Sequence, residues 1–204
     1  MRTLLCCISA LVWEGTLLNF YRSEEAYLQI FLRVLINLGS QQRKRIMDYK
    51  IEQLIKDIST IDQMDILSHW LWLLPDIKNI LIVTCMGDLF LEGKDGTVLF
   101  LLCDGGELEI VADNKAEFEL FLNDKEKFDN WFLPLLFEKL IAAEKYLKIN
   151  EVYSLRKLGV LGGEYAVENI EPTDISVHFS FAGQICKQIW DKPDGTKVNQ
   201  VVVD

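Results

Sequence analysis

Residues 80–113 read ILIVTCMGDLFLEGKDGTVLFLLCDGGELEIVAD, and this stretch decides the fold. Ile80–Cys85 is a continuous apolar run rich in β-branched side chains, the composition of a strand. Gly93-Lys94-Asp95-Gly96 is a turn signal set between two apolar runs, and Thr97–Leu102 follows it. Asp104-Gly105-Gly106 then leads into Glu107–Val111, where acidic and apolar residues alternate. Connections this short join antiparallel neighbours, so the stretch predicts an antiparallel meander, with Leu89–Leu91 extending it.

Helical spacing dominates on either side. Ile51, Leu54, Ile55 and Ile58 predict a helix over Tyr49–Ile58. Asp62–Leu74 reads as another, carrying Trp70, Leu71 and Trp72 and stopped near Pro75; its tryptophan pair fits a core better than an exposed patch. Asp113 or Asn114 caps a helix whose apolar face is Phe118, Phe121 and Leu122. From Asp124 a stripe of Phe128, Trp131, Phe132, Leu135, Leu136 and Leu140 follows. Pro134 interrupts it, so either Asn130 caps a helix with Pro134 near its first turn, or the helix is kinked there. Glu151–Val160 is irregular or extended, Leu161-Gly162-Gly163 is a turn, and Tyr165–Asn169 is a short strand. Asp174–Trp190 fits both periods, but seventeen residues exceed an ordinary strand, so it is assigned as helix, with Glu171-Pro172-Thr173-Asp174 as its start. The fold class that results is α/β of the α+β kind. It is a small antiparallel sheet of four to six strands packed with several helices, in a single domain over residues 47–204.

Charge is unevenly placed. The chain carries 21 Lys and Arg against 31 Asp and Glu, a net charge of −10. Residues 1–46 hold six of the basic and three of the acidic residues, which leaves 15 and 28, or −13, for residues 47–204. That sign repels phosphate backbones and anionic lipid, so nucleic acid and membrane are disfavoured as partners and a basic protein is favoured.

Residues 1–46 form an N-terminal extension with open readings. The run Gln41-Gln42-Arg43-Lys44-Arg45-Ile46 precedes Met47, and its purine-rich codons suit a ribosome-binding sequence, so translation starting at Met47 is one. Another is a short helical segment, Glu24–Leu38, with Tyr27, Leu28, Phe31, Leu35 and Leu38 on one face and Gly39 ending it. A weak membrane-targeting segment is the third: Leu4–Trp13 is apolar but too short to span a bilayer, and it is a poor signal peptide.

The chemistry-bearing residues are sparse. Cys6, Cys7, Cys85, Cys103 and Cys186 are odd in number and lack CxxC spacing, which argues for reduced core thiols and a cytoplasmic setting. His69 and His178 have no second ligand at metal spacing, and no phosphate-binding glycine loop or nucleophile elbow occurs. No enzyme activity, metal or cofactor is therefore expected. His178 reads as a structural hydrogen-bonding group rather than a general base. Glu164, Glu168, Glu171 and Asp174 are the one acidic cluster of note. Asp174 suits a helix cap, and the cluster as a whole reads better as a contact surface than as a catalytic or metal site. With Tyr165 and His178 it gives the candidate partner-binding set of Glu164, Tyr165, Glu168, Glu171, Asp174 and His178.

An ordered set of short motifs adds a resemblance. Cys85-Met86-Gly87-Asp88-Leu89-Phe90 is followed by Asp95-Gly96-Thr97-Val98, Glu107-Leu108-Glu109 with Ala112-Asp113, and Trp131-Phe132-Leu133-Pro134. Leu161-Gly162-Gly163-Glu164-Tyr165, Glu168-Asn169-Ile170-Glu171 and Gly183-Gln184-Ile185 come next, leading to Asp191-Lys192-Pro193-Asp194-Gly195. Over about residues 50–198 this series resembles the domain that closes type VI secretion immunity proteins of the Tdi kind. The resemblance implies an α/β domain from a bacterial toxin-immunity locus that protects the cell by binding a secreted nuclease toxin. It carries no catalytic residues. Longer relatives also have a GAD-like N-terminal domain, which residues 1–46 do not resemble. On this reading the partner is a cognate toxin, a basic nuclease effector whose phosphate-binding places acidic side chains occupy. The alternative is an intracellular small-molecule-sensing or regulatory domain without catalytic activity, its pocket lined by Trp70, Trp72, Phe132 and His178.

Overall fold

A computed structural model describes residues 50–193, 195–198 and 200–203. The expectations for residues 1–46 and for a start at Met47 lie outside the described residues. Five strands form one antiparallel sheet in sequence order: β1 (Ile55–Lys56), β2 (Ile77–Thr84), β3 (Leu89–Gly93), β4 (Val98–Leu102) and β5 (Glu107–Ala112). The meander is as expected, and Leu89–Leu91 is a full member of it. Its register pairs Phe90 with Phe100, Leu91 with Leu99 and Leu89 with Leu101.

Side chains alternate across a strand, and here both faces are buried. Phe90 and Phe100 meet at 4.7 Å between ring centroids, and Phe90 also meets Phe118, Trp131 and Phe132 at 4.8, 5.2 and 5.8 Å. Leu89, Leu91 and Leu101 point the other way and are fully buried as well. Each such leucine contributes roughly 2 kcal/mol of transfer free energy.

The helices are α1 (Gln63–Leu67), α2 (Lys115–Phe121), α3 (Lys125–Phe132), α4 (Pro134–Ala142) and α5 (Ile175–Ile189). Asp62, Asn114, Asp124 and Asp174 each accept from backbone N–H groups of the turn that follows, capping α1, α2, α3 and α5. The stripe that begins at Asp124 is two helices. Leu133 takes a left-handed conformation at φ 46° and Pro134 opens α4, because proline disfavours α geometry in the residue before it and suits a first helical position. Asn130 lies inside α3 and caps nothing. Trp70 is fully buried, donates from Nε1 to Phe179 O at 3.0 Å and stacks on Trp72.

Two segments differ from expectation. The helix expected over Tyr49–Ile58 is absent from its described residues, 50–58: Ile51–Gln53 forms one 3-10 turn and Ile55–Lys56 becomes β1. Leu54 O accepts from Cys85 N at 2.8 Å and Ile55 pairs with Thr84, so the sheet edge takes the backbone groups a helix would have used. Tyr165–Asn169 is not a strand. Val167–Asn169 is a 3-10 turn, and the strand, β7, runs from Ile170 to Asp174 beside β6 (Glu151–Leu155) in a separate two-stranded antiparallel sheet. Pro172 is tolerated because β7 pairs on one side only. Among the described residues, five α-helices with a five-stranded and a two-stranded sheet make an α+β single domain.

Candidate partner-binding surface

Glu164, Tyr165 and Glu168 lie in the loop between β6 and β7, Glu171 and Asp174 in β7, and His178 in α5. Leu158, 1 % exposed, anchors the loop in the core. Gly162 N donates to Gly159 O and Gly163 N to Leu158 O, at 2.7 and 2.9 Å, so Leu161-Gly162-Gly163 forms the expected turn, with Gly162 at φ 80°. A Cβ on Gly163 would lie 1.7 Å from Lys157 O, which leaves room for glycine alone. Asn169 closes the loop: its Oδ1 accepts from Lys157 N, and its Nδ2 donates to Lys157 O and Glu164 O, at 2.9–3.0 Å. These bonds are why the segment turns instead of extending.

Tyr165 pins the loop to the meander. Its hydroxyl donates to Asp104 Oδ1 at 2.8 Å, and Val160 N donates to Asp104 O at 3.0 Å. Asp104 sits in the β4–β5 turn and is 6 % exposed. Burial pushes its carboxyl up to about 6, while the Tyr165 hydroxyl and nearby backbone N–H groups act against the rise. Asp88, in the β2–β3 turn, accepts from Cys103 N at 3.0 Å. Burial first, and then the charge of Asp104, push its carboxyl well above the usual range. In the sequence Asp104 only precedes the strand at Glu107 and Asp88 only belongs to a motif, and no local signal shows that two hairpin turns bring them together.

His178 stands apart from the other five residues of the set. It is 3 % exposed, with Nε2 at 2.9 Å from Gly87 O and Nδ1 at 2.9 Å from Ser154 Oγ. A carbonyl can only accept, so Nε2 carries the proton and Nδ1 accepts from the Ser154 hydroxyl. Burial holds this neutral imidazole down to about 4. A Cβ on Gly87 would fall 2.3 Å from Nε2, so the turn needs glycine for both its φ of 85° and its fit to the ring. His178 is thus the structural hydrogen-bonding group expected from the sequence, and it is too deep to touch a partner.

At the surface, Glu164, Glu168 and Asp174 are exposed and Tyr165 and Glu171 half-buried. Glu171 pairs with Lys145 Nζ at 2.8 Å. Asp174 Oδ1 accepts from Ser176 N and Val177 N, the capping role expected of it. Among the described residues no group of three or more His, Cys, Asp or Glu could hold a metal ion. Cys85, Cys103 and Cys186 are buried free thiols. Burial pushes Cys85 and Cys186 up to about 12 and Cys103 well above its ordinary value, which removes them as nucleophiles at neutral pH. Phe132 lies in the aromatic group around Phe90, whereas Trp70 stacks on Trp72, which meets Trp190 at 5.2 Å. Among the described residues no helix is long and apolar enough to cross a membrane.

Fold and surface together define an α+β domain that displays acidic side chains from a rigid loop. Residues 112–186 match the family model described as "T6SS immunity protein Tdi1, C-terminal", the domain that the motifs above resemble. The matched segment is 75 of the chain's 204 residues. It spans α2 to α4, both strands of the small sheet, the acidic loop and most of α5. No curated protein matches the chain. Among solved structures, that of Atu4351 from Agrobacterium tumefaciens is 15 % identical with a TM-score of 0.41. The alignment covers 59 % of this chain and 63 % of that one.

Proposed function

We propose that the chain is an immunity protein that binds a type VI secretion toxin, a nuclease, in the bacterial cytoplasm and blocks it without catalysis of its own. The family match over residues 112–186 carries this reading. The −13 charge of residues 47–204 supports it, because an acidic inhibitor is drawn to a surface shaped for phosphates and speeds its own association. So does the construction of the loop. Gly163, Tyr165 and Asn169 are committed to its shape, which leaves Glu164 and Glu168 displayed on a preorganised backbone. Glu171 and Asp174 continue the acidic surface along β7.

Co-expression with the toxin encoded beside this gene tests the proposal. Cells carrying both genes should survive, and the two proteins should leave a sizing column together. Death at the rate seen with toxin alone, and no shared peak, would overturn it.

A further inference from the structure

Residues 143–150, between α4 and β6, are tied down by an unusual number of long-range bonds. Lys145 Nζ, on a largely buried side chain, donates to Ile170 O at 2.5 Å and to Glu171 Oε1 at 2.8 Å. Tyr153 OH donates to Lys145 O at 2.6 Å, and Lys56 Nζ to Lys148 O at 2.8 Å. Lys148 is paired with Glu151, and Ile175 N donates to Asn150 O at 2.9 Å. The loop starts at Glu144, a non-glycine residue held at φ 59° in the left-handed region, which costs about 1 kcal/mol that a glycine would avoid. Leu147 packs inward against the core. Tyr146 and Ile149, by contrast, are 63 % and 77 % exposed.

A third apolar side chain stands alongside. Glu151 lies opposite Asp174 in the β6–β7 ladder, and Asn150 bonds to Ile175. Ile149 therefore lies next to the first turn of α5, where Val177 is 57 % exposed. A rigid loop that turns one leucine inward and sends a tyrosine and an isoleucine to solvent is arranged as an interface centre is: large apolar anchors whose ordering cost is already met. Locally Lys56, Lys145 and Lys148 stand against Glu144, Glu151, Glu171 and Asp174, and residues 47–204 as a whole carry a charge of −13.

We propose that Tyr146, Ile149 and Val177 form the apolar centre of the toxin contact, and that its occupant is a basic protein surface with an apolar recess. This rests on the immunity reading and goes beyond the acidic residues already named. The test uses the full chain and the purified toxin encoded beside its gene, with affinity measured by calorimetry. The variants are Tyr146→Ser, Ile149→Asp and Leu120→Ala. Leu120, 71 % exposed on α2, serves as the control: α2 packs on β5, at the opposite edge of the sheet from β1, whose Lys56 holds the loop.

Tyr146→Ser and Ile149→Asp should each weaken binding by about tenfold or more, with unchanged melting temperatures, and Leu120→Ala should bind as the parent does. If the parent binds but both loop variants bind within about threefold of it, this surface is not the contact and the immunity reading stands. If the parent does not bind, both fall. If the chain self-associates in sedimentation equilibrium, Ile149→Asp abolishes that, and toxin binding is untouched, the occupant is a second copy and the proposal is overturned.

Discussion

Tyr165→Phe removes one oxygen atom, the one that joins the acidic loop to the buried carboxylate of Asp104. The ring keeps its place, and the change removes the 2.8 Å hydrogen bond to Asp104. A bond to an ionised group contributes about 1.5–3 kcal/mol and a neutral one about 0.5–1.5 kcal/mol. Asp104 titrates near pH 6 in the folded protein, and a carboxyl near 3.9 in the unfolded one. The folded state therefore binds more protons between these values, and the cost of burying the charge grows as pH rises through them. The Tyr165 hydroxyl offsets that cost only where Asp104 is charged. In Tyr165→Phe the carboxyl rises further above about 6, so the loss of stability is largest above neutrality. Urea unfolding measures this. With a slope of about 2 kcal/mol/M, the midpoint should fall by about 1 M at pH 7.5 and by about half of that or less at pH 5. An equal fall at both pH values would refute the assignment of Asp104 as a raised carboxyl held by Tyr165.

Three further outcomes follow from the buried groups. His178 titrates near 4 when folded against 6.5 unfolded, so its contribution is present at neutral pH and is lost as pH falls through 6.5 toward 4. The stability gap between the parent and His178→Gln should shrink by about 2–3 kcal/mol between pH 7 and pH 4.5 in urea unfolding, and a gap that does not change with pH would contradict the buried neutral imidazole. Gly163→Ala drives a Cβ into Lys157 O and should cost about 2–3 kcal/mol in thermal unfolding, where an unchanged melting temperature would show the loop to be looser than described. Alkylation at pH 8 followed by peptide mass mapping should leave Cys85, Cys103 and Cys186 unmodified in the native protein and modify all three in denaturant.

The meander was legible because each of its signals is local. Gly96 at φ 92° and the Asp95 carboxylate accepting from Thr97 N at 3.1 Å are what Gly93-Lys94-Asp95-Gly96 announced. α5 was legible from its length and from the Asp174 cap. β1 was not, because two residues recruited by the end of β2 leave no period to detect, and the helical spacing of Ile51, Leu54 and Ile55 served burial along a bent chain. β7 was hidden by Pro172, and the Tyr165–Asn169 segment by side-chain bonds of Asn169 that no periodicity encodes. Of the candidate contact set, Asp174 was legible as a cap and His178 as a structural group, but nothing local shows that Glu171 is paired with Lys145 or that His178 is held in the core by Gly87, 91 residues away in sequence. Tyr146 and Ile149 escaped notice because exposure is a property of the folded surface.

The partner proposed for this acidic chain is a basic toxin. Stopped-flow association of the two purified proteins at rising salt tests it most directly. The expected result is a complex whose association rate falls steeply as ionic strength rises while dissociation changes little. No complex at any salt concentration, or an association rate indifferent to salt, would contradict it.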